Sequence, residues 1–353
     1  KHLHALPPHS FTFSLVVINL DSDFTVQHED HKTIAKDQAK NLLDSCKQEA
    51  KAKLESNDSS YETVHTEMAK CLEDSVTSEL VQLYDEIKFQ SLLRTQMGRS
   101  FENYTCPDFT LSTSEPTDKK VWTDPKSRRT YQTQIFLDRP ASKIHMLEHF
   151  ISEDECRAVQ QQASTRLQMA LVADGSGGQE VNSNRRALQA GITVPWETPN
   201  HPIAKLSRRV YDYMNHVTGL DIHEFGQENL MSIQYMGRGL NDTEPDQYTP
   251  HCDGECMGDA HKNGTRVATM VMYCTIPEKG GATNFRNAGV HVVPRKGNAV
   301  FFSYMDPDTH LMDNGLTEHS GCPVYEGAKK IVTQWIRHGV TKEVPWYRYN
   351  SCE

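Results

Sequence analysis

The chain has 353 residues, of which 24% are charged and 37% hydrophobic, and its formal net charge is -10 at pH 7. This acidic balance argues against a nucleic-acid-binding surface, because such surfaces are strongly basic. The sequence also has no apolar run near the roughly 18 residues that a membrane-spanning helix needs. A chain of this length predicts two domains, or one large domain with an appendage.

Several features favour the secretory pathway, with the lumen of the endoplasmic reticulum as the expected location. Asn-x-Ser/Thr sequons begin at Asn57, Asn103, Asn241 and Asn263, which is more than chance places in a chain this long. The nine cysteines permit disulfide bonds in that compartment. The first residue is Lys1 rather than Met, as is typical of a chain that has lost its signal peptide. We therefore expect a glycoprotein with disulfide bonds.

Residues 1–130 are predicted to form an N-terminal domain. After a short apolar strand at 11–20, apolar residues recur every three or four positions over 30–54 and again over 62–97, which predicts two amphipathic helices. A polar stretch separates them, so the helices are expected to form an antiparallel hairpin. This hairpin either packs on the second domain or offers a surface for dimerisation or a partner.

Two further features belong to this region. Cys46 and Cys71 lie symmetrically about the predicted hairpin turn, which makes them candidates for a disulfide bond. Residues 98–138 are polar and contain three prolines, and they predict an irregular connector to the next domain.

Residues 131–353 are predicted to form an α+β domain. A strand at 141–150 precedes a helix that starts after Ser152, and a second helix spans 202–217 before Gly219. Eight strands are then predicted at 230–236, 247–253, 267–276, 283–285, 290–293, 299–304, 318–324 and 330–338. Short strands with glycine and proline between them predict a double-stranded β-helix, or jelly roll, with the helices covering one sheet.

The strand at 247–253 carries a candidate metal site. His251 and Asp253 are two residues apart, so both side chains leave one face of a strand, and His319 can complete a triad of two histidines and one carboxylate. Such a triad suits non-haem Fe(II) and leaves coordination positions open for chemistry. A second triplet, from His28 to Asp30, lies in a charged segment before a helix and is better interpreted as a solvated helix entry.

The order and spacing of these residues resemble prolyl 4-hydroxylases, which are dioxygenases that depend on Fe(II) and 2-oxoglutarate. The resemblance covers about residues 140 to 340. It rests on the run from Tyr248 to Asp253, Arg266 to Tyr273, Gly280 to Thr283, Lys296 to Phe302, His319 to Val324 and Lys329 to Trp335.

The resemblance implies roles for individual residues. Fe(II) is expected to be bound by His251, Asp253 and His319. Lys329 is expected to meet the distal carboxylate of 2-oxoglutarate, with the adjacent Lys330 facing outward. Hydroxyl groups that help to hold 2-oxoglutarate are expected from Tyr248, Thr283 and Tyr235. Arg266 and Trp335 are expected near the substrate, although core packing or a surface ion pair is an equally open interpretation for both.

The resemblance also implies an activity and a second disulfide bond. O2 and 2-oxoglutarate are consumed, succinate and CO2 are released, and proline in a peptide or protein is hydroxylated, with L-ascorbate as a further cofactor. Oxidation or ring closure of a free amino acid or other small molecule is the alternative, and a non-catalytic interaction protein is the alternative of another class. An acidic insertion, Gly239 to Asp246, is expected at the substrate. In related collagen-modifying enzymes a cysteine placed like Cys322 pairs with a C-terminal cysteine, which implies Cys322–Cys352.

Overall fold

The structure is a computed structural model that describes residues 29–55, 61–75, 106, 109–173 and 179–349. The chain divides into two compact units, Lys1–Thr95 and Gln96–Glu353. The predicted strand at 11–20 lies outside the described residues.

In the first unit, two helices pack against each other. They are α1 (Glu29–Glu55) and α2 (Tyr61–Ser75), which agree with the two predicted helices, although residues 76–97 of the second prediction lie outside the described part of the chain. A disulfide bond joins Cys46 to Cys71 with the Cα atoms 5.7 Å apart, as predicted. Cys46 is fully buried in this small interface together with Ala39 and Leu72.

The described residues of the second unit contain two α-helices and a series of mostly short strands. The helices are α3 (Glu153–Ala163) and α4 (Pro202–Thr218). The strands are β1 (Asp118–Thr123), β2 (Thr130–Asp138), β3 (Lys143–Leu147), β4 (Gln168–Met169), β5 (Val172–Ala173), β6 (Gln179–Glu180), β7 (Leu188–Ile192), β8 (Leu230–Met236), β9 (Asp246–His251), β10 (Arg266–Thr275), β11 (Lys279–Gly280), β12 (Thr283–Phe285), β13 (Val290–Val292), β14 (Ala299–Ser303), β15 (His319–Glu326) and β16 (Ala328–Arg337). A short 3-10 helix follows at Trp346–Arg348.

The strands form two main sheets. The larger has nine strands in the order β1-β2-β3-β14-β10-β16-β8-β7-β4. The smaller has the order β11-β15-β12-β13, with β9 also paired to β15. Neighbouring strands are antiparallel throughout both sheets. The fold is therefore the predicted α+β double-stranded β-helix with flanking helices.

The two faces of strand β16 contact different parts of the fold. The side chains of Lys329, Ile331, Thr333 and Trp335, spaced by two, line a cavity together with residues of the small sheet. The intervening positions face the other way, because Gln334 exchanges hydrogen bonds with Ser207 of α4 at 2.8 and 3.1 Å. One strand thus separates the helical layer from the cavity between the sheets.

Local interactions define the start of α3 and the end of α4. The side chain of Ser152 accepts a hydrogen bond from the backbone N–H of Glu155, and the carboxylate of Glu155 accepts one from the backbone N–H of Ser152, which completes a capping box at α3. After α4, Gly219 adopts a left-handed conformation with φ of 72°, which glycine reaches without steric cost.

The predicted connector at 98–138 is wrong over its second half. Strands β1 and β2 form a hairpin at the edge of the large sheet. The sequence of β1 does not predict a strand, because only Trp122 is buried and the exposed positions include Lys119 and Lys120. Charged residues of this kind protect an edge strand from pairing with other chains, but they remove the apolar alternation that sequence analysis relies on. Strands β4, β5 and β6 were also missed, because they have two residues each, and the five-residue β7 was not predicted.

The predicted Cys322–Cys352 disulfide is also wrong. Cys322 pairs with Cys106, with Cα atoms 5.5 Å apart, while Cys352 lies outside the described residues. The bond ties the segment before β1 to the strand that carries His319. Two more disulfides, Cys156–Cys274 and Cys252–Cys256, lie in the same unit. Within the described residues, every helix is too short or too polar to cross a membrane.

Candidate active site

The three predicted iron ligands converge at one end of the small sheet. His251 is the last residue of β9 and His319 the first of β15, and the two residues are paired in the strand register, which brings their ring centres to 4.3 Å. Asp253 follows two residues later, with Oδ1 3.5 Å from Nε2 of His251 and Oδ2 3.8 Å from Nε2 of His319. Among the described residues, this is the one group of three whose ligand atoms all lie within 4.8 Å of one another.

Backbone carbonyls orient both imidazole rings. Nδ1 of His251 donates to the carbonyl oxygen of Thr249 at 2.9 Å, and Nδ1 of His319 donates to that of Thr317 at 3.0 Å. With the proton held on Nδ1, the lone pair of each ring lies on Nε2, the atom that faces Asp253. This is the arrangement that metal-binding histidines adopt.

The carboxylate of Asp253 is held ionised. Burial alone would raise its pKa, but the neighbouring His319 and His251 imidazoles keep the pKa well below its ordinary value. The hydroxyl of Thr269 donates to Oδ2 at 2.8 Å and fixes the carboxylate on one side. Burial, followed by the charge of His251, lowers the pKa of His319 to about 4. Two imidazoles that present Nε2 and one carboxylate fit an Fe(II) ion bound through one face of its octahedron.

A disulfide and a glycine shape the turn that presents Asp253. Cys252, between the two ligands, is bonded to Cys256 four residues on, with Cα atoms 6.2 Å apart. A Cβ atom on Gly254 would lie 2.4 Å from the ring of Tyr304 and 2.7 Å from the carbonyl oxygen of Arg266. A residue with a side chain does not fit here without moving the turn.

Lys329 is a buried cation that faces the same cavity. Its side chain is 2% exposed, and Nζ lies 5.5 Å from the ring centre of Tyr235 and 5.8 Å from that of Tyr273. Burial lowers its pKa to about 7. In the part of the chain that the structure describes, no carboxylate pairs with this ammonium group. An uncompensated buried charge is costly, so the position suits an anionic ligand such as a carboxylate of 2-oxoglutarate.

The other residues expected to hold 2-oxoglutarate also reach this cavity. Tyr235 and Thr283 line it, and the hydroxyl of Thr283 shares a hydrogen bond of 2.8 Å with that of Tyr273. The adjacent Lys330 pairs with Gln234 in the strand register and is absent from the lining, as the alternation of β16 predicts.

Tyr248 lies flat on His251, one of the predicted metal ligands. Its ring is 3.4 Å from that of His251, with 18° between the planes, and burial raises its pKa to about 12, so the phenol keeps its proton. On the same tyrosine ring, the guanidinium of Arg185 lies 4.8 Å from the centre.

Arg185 is a cavity residue that the sequence analysis missed. It is 5% exposed, and Nη1 donates to the carbonyl oxygen of Leu171 at 2.9 Å, while Nε has no hydrogen-bond partner. A single β-bridge between Arg185 and Tyr248 places Arg185 at the site. The segment around Arg185 has no periodic pattern from which this position could be predicted.

Arg266 and Trp335, the predicted substrate residues, lie together. The guanidinium of Arg266 stacks 4.0 Å from the centre of the Trp335 ring and forms two hydrogen bonds of 2.6 and 2.7 Å to Glu228. Nη1 of Arg266 also donates to the carbonyl oxygen of Asp253 at 3.3 Å. Glu228 accepts a further bond of 2.6 Å from Arg337, and the two arginines hold its pKa below the ordinary value although burial opposes this. Glu228 was not singled out from the sequence.

The acidic insertion is neutralised by arginines. Asp242 and Asp246 lie 3.0 and 2.9 Å from Arg238, and Glu244 pairs with Arg186. No residue from 239–246 is among those that line the cavity. The insertion therefore offers little free negative charge for a cationic substrate, and its expected contact with substrate stays a prediction.

Comparison with known proteins adds an independent finding. A family model described as the 2OG-Fe(II) oxygenase superfamily matches residues 238–337. Prolyl 4-hydroxylase subunit alpha-1 of Gallus gallus is 31% identical over 204 residues, which are 56% of this chain and 36% of the relative. Prolyl 4-hydroxylase 1 of Arabidopsis thaliana is 30% identical over 214 residues, 56% of this chain and 70% of the relative. The chain thus spans about a third of the animal subunit and over two thirds of the plant protein.

Solved structures of prolyl hydroxylases are similar to part of this chain. The viral collagen prolyl hydroxylase from Paramecium Bursaria Chlorella virus-1 gives a TM-score of 0.41 at 24% identity, covering 55% of this chain and 96% of the other. A prolyl hydroxylase from Trichoplax adhaerens gives 0.40 at 20% identity, covering 60% and 87%.

Proposed function

The chain belongs to the prolyl 4-hydroxylase family of 2OG-Fe(II) oxygenases, and from this premise we propose that it hydroxylates proline in peptides or proteins. Fe(II), O2 and 2-oxoglutarate are the expected cofactor and cosubstrates, with L-ascorbate as an additional reductant. When bound, the iron supplies the oxidising power that couples decarboxylation of 2-oxoglutarate to cleavage of a C–H bond.

One observation carries the proposal. The buried, unpaired ammonium of Lys329 faces the cavity that His251, Asp253 and His319 also line. A metal triad alone fits many reactions, and a buried lysine alone fits many anions. Their presence in one cavity fits a ligand that has a carboxylate at one end and metal-binding oxygens at the other, which is the chemistry of 2-oxoglutarate.

The protein's own residues have separable tasks in this proposal. Nε2 of His251, Nε2 of His319 and a carboxylate oxygen of Asp253 bind the metal. Lys329 neutralises the distal carboxylate, and the tyrosine hydroxyls of the cavity donate hydrogen bonds to it. The apolar wall formed by Ile233, Val271 and Ile331 excludes water, which strengthens these electrostatic contacts.

The substrate contact is proposed at Trp335. Its indole N–H is buried without a hydrogen-bond partner, and Trp335 lines the cavity. A buried donor of this kind suits a carbonyl oxygen of a peptide. Arg266 stacks on the Trp335 ring and forms an ion pair with Glu228. Its guanidinium also donates to the carbonyl oxygen of Asp253, so we assign Arg266 to positioning Trp335 and the backbone of Asp253.

The proposed location is the lumen of the endoplasmic reticulum. Eight of the nine cysteines form disulfide bonds, which persist in oxidising compartments. Of the sequons, those at Asn241 and Asn263 fall in the described residues, and both side chains are exposed. A role of α1 and α2 in pairing with a second copy or a partner stays a prediction, which sedimentation of the full chain can measure.

The proposal is tested with a peptide series. Proline-rich peptides of increasing length and free proline are incubated with Fe(II), 2-oxoglutarate and ascorbate, and succinate release and the mass of each peptide are followed. We expect one oxygen atom to be added to proline, with activity rising as the peptide is extended. Asp253→Ala is the control, because it should abolish turnover while the protein stays folded.

The same series decides between the two candidate activities. Activity that is highest on a free amino acid and falls once that residue is placed in a peptide assigns the chain to small-molecule oxidation. Failure to release succinate with any substrate or with 2-oxoglutarate alone favours a non-catalytic protein.

A further inference from the structure

Three histidines that take no part in the candidate active site lie together in the second unit. His261 belongs to the loop between β9 and β10, His310 to the loop between β14 and β15, and His338 directly follows β16. The ring centres are 4.8 Å apart for His261 and His338, 5.8 Å for His310 and His338, and 6.4 Å for His261 and His310. Three distant parts of the sequence thus bring one kind of side chain to one place.

Backbone hydrogen bonds fix this arrangement. The N–H of His261 donates to the carbonyl oxygen of His310 at 2.8 Å, and the N–H of Gly264 donates to that of His338 at 2.8 Å. The N–H of His338 in turn donates to the carbonyl oxygen of Thr265 at 3.2 Å. The main chain therefore holds the three segments that carry these histidines side by side.

Two ring nitrogens in this histidine cluster lack partners. Nε2 of His261 and Nδ1 of His338 are both buried and make no hydrogen bond to any residue that the structure describes. A buried polar atom without a partner costs about 1–3 kcal/mol, so each such atom calls for an explanation. A ligand that accepts lone pairs from nitrogen would satisfy both atoms at once.

The surroundings favour the neutral form of two of these histidines. Burial and the neighbouring His338 and His310 rings lower the pKa of His261 to about 4. Burial, followed by His310, also lowers the pKa of His338. Neutral imidazole is the form that ligates metal ions, so the environment of His261 and His338 favours metal binding.

The rings are spaced somewhat more widely than around a bound tetrahedral ion. Zn–N bonds of about 2.0–2.1 Å place the centres of three imidazole rings roughly 5 Å apart, which matches the 4.8 Å between His261 and His338, whereas the other two separations are longer. The ring planes cross at 67 to 76°, and their nitrogens do not yet converge, so binding requires the rings to turn about their side-chain torsions. His310 is exposed and leaves a side open for a water ligand.

We propose that His261, His310 and His338 form a second metal site, which takes Zn²⁺ through three imidazoles and one water. The site is separate from the triad of His251, Asp253 and His319. Bound zinc would connect the loop that follows Asp253 to the end of β16 and to the loop before β15. We therefore expect the second site to stabilise the structure around the active site.

The test uses tag-free full-length protein in which Asp253→Ala and His319→Ala silence the first site. Zn²⁺ alone is titrated by calorimetry, and bound zinc is counted after dialysis. We expect one equivalent of Zn²⁺ and a higher melting temperature. Adding His310→Gly or His338→Ala should weaken zinc binding at least tenfold and remove the thermal shift. Glycine is chosen at 310 because the residue has φ of 59°, which glycine adopts freely.

Two controls keep the result interpretable. His223→Ala removes an exposed histidine outside the cluster, with 62% of its side chain exposed, and should leave zinc binding unchanged. If the silenced protein does not fold, wild-type protein should bind two equivalents of Zn²⁺ and the His310→Gly variant one. Absence of zinc binding in the silenced protein, or an affinity that His310→Gly and His338→Ala leave unchanged, overturns the proposal.

Discussion

The ring of Tyr248 lies 3.4 Å from the ring of His251, with 18° between their planes. This contact couples a residue expected to hold 2-oxoglutarate to a metal ligand, because Tyr248 supplies a hydroxyl to the cavity and a flat surface to the imidazole. The two contributions can be separated by substitution.

We predict that Tyr248→Phe retains iron binding and raises the KM for 2-oxoglutarate. The ring stays on His251, whereas a hydrogen bond to a charged group is lost, which is worth about 1.5–3 kcal/mol, or roughly 10- to 100-fold. Steady-state kinetics with varied 2-oxoglutarate measure this effect. Tyr248→Ala should also weaken iron binding, since the stacking surface is removed. Equal iron affinities in the two variants would contradict a role for the ring.

The hydroxyl of Thr269 is predicted to tune the metal site through Asp253. It donates to Oδ2 of the carboxylate at 2.8 Å, and loss of such an outer hydrogen bond typically lowers metal affinity about 10- to 100-fold. Thr269→Val removes the donor and keeps the side-chain shape. We expect weaker Fe(II) binding by competition with a chromogenic chelator.

Thr333→Val is a matched control for this substitution. Thr333 is also buried and lines the cavity, but its hydroxyl has no hydrogen-bond partner. Fe(II) affinity should therefore stay at the wild-type value in this variant. A similar loss in both variants would show that polarity in the cavity, rather than the bond to Asp253, is responsible.

Strands of both sheets, and the convergence of His251, Asp253 and His319, were predictable because period-two patterns are local. The predicted strands at 230–236 and 283–285 coincide with β8 and β12, and the shared parity of Lys329 and Trp335 placed both on the cavity wall. Alternation is strong where one strand face is buried, so such segments are the ones that sequence reasoning finds.

Long-range pairings were not predictable from local patterns. The partner of Cys322 lies 216 residues away, and family resemblance pointed to another cysteine. Arg185 reaches Tyr248 through a single bridge, and Glu228 is buried only because Arg266 and Arg337 both compensate its charge. Such contacts depend on how distant segments meet, which neither spacing nor composition records.

Affinity for 2-oxoglutarate is predicted to fall as pH rises above about 7. Burial lowers the pKa of Lys329 from its ordinary 10.5 to about 7, so the ligand-free protein loses this charge above pH 7. A dianion binds the protonated form better, and binding then takes up a proton. Affinity should be constant below pH 7 and decline by up to roughly tenfold per pH unit above it. Anaerobic calorimetry in buffers of different ionisation enthalpy measures both quantities.

Lys329→Arg tests the cause of this dependence. A guanidinium keeps its charge across the whole range, so the pH dependence should disappear even where the affinity is lower. Lys329→Ala should raise the required 2-oxoglutarate concentration while iron binding persists. A wild-type affinity that stays constant from pH 6.5 to 9 would contradict the assignment of Lys329.

The Cys252–Cys256 disulfide is predicted to hold the metal ligands in place. It closes a short loop that contains Asp253 and Gly254, and Cys252 lies directly between the two ligands. Without the crosslink, the carboxylate must be ordered when the metal binds, and this ordering reduces affinity. The double substitution Cys252→Ser and Cys256→Ser should therefore weaken Fe(II) binding several-fold, with the melting temperature changed little because the loop is short.

A matched control comes from the other unit of the chain. Cys46→Ser and Cys71→Ser remove the disulfide between α1 and α2, so they should leave Fe(II) affinity at the wild-type value and lower the stability of the helical pair alone.

Fe(II) titration and turnover are measured for both double variants, and each is repeated after treatment with a reducing agent. The reductant should weaken iron binding in the Cys46→Ser and Cys71→Ser protein, where Cys252–Cys256 is intact, more than in the protein that lacks this bond. An iron affinity that is unchanged by loss of Cys252–Cys256 would mean that Gly254, the Arg266 contact and the Thr269 hydroxyl set the position of Asp253 without the disulfide.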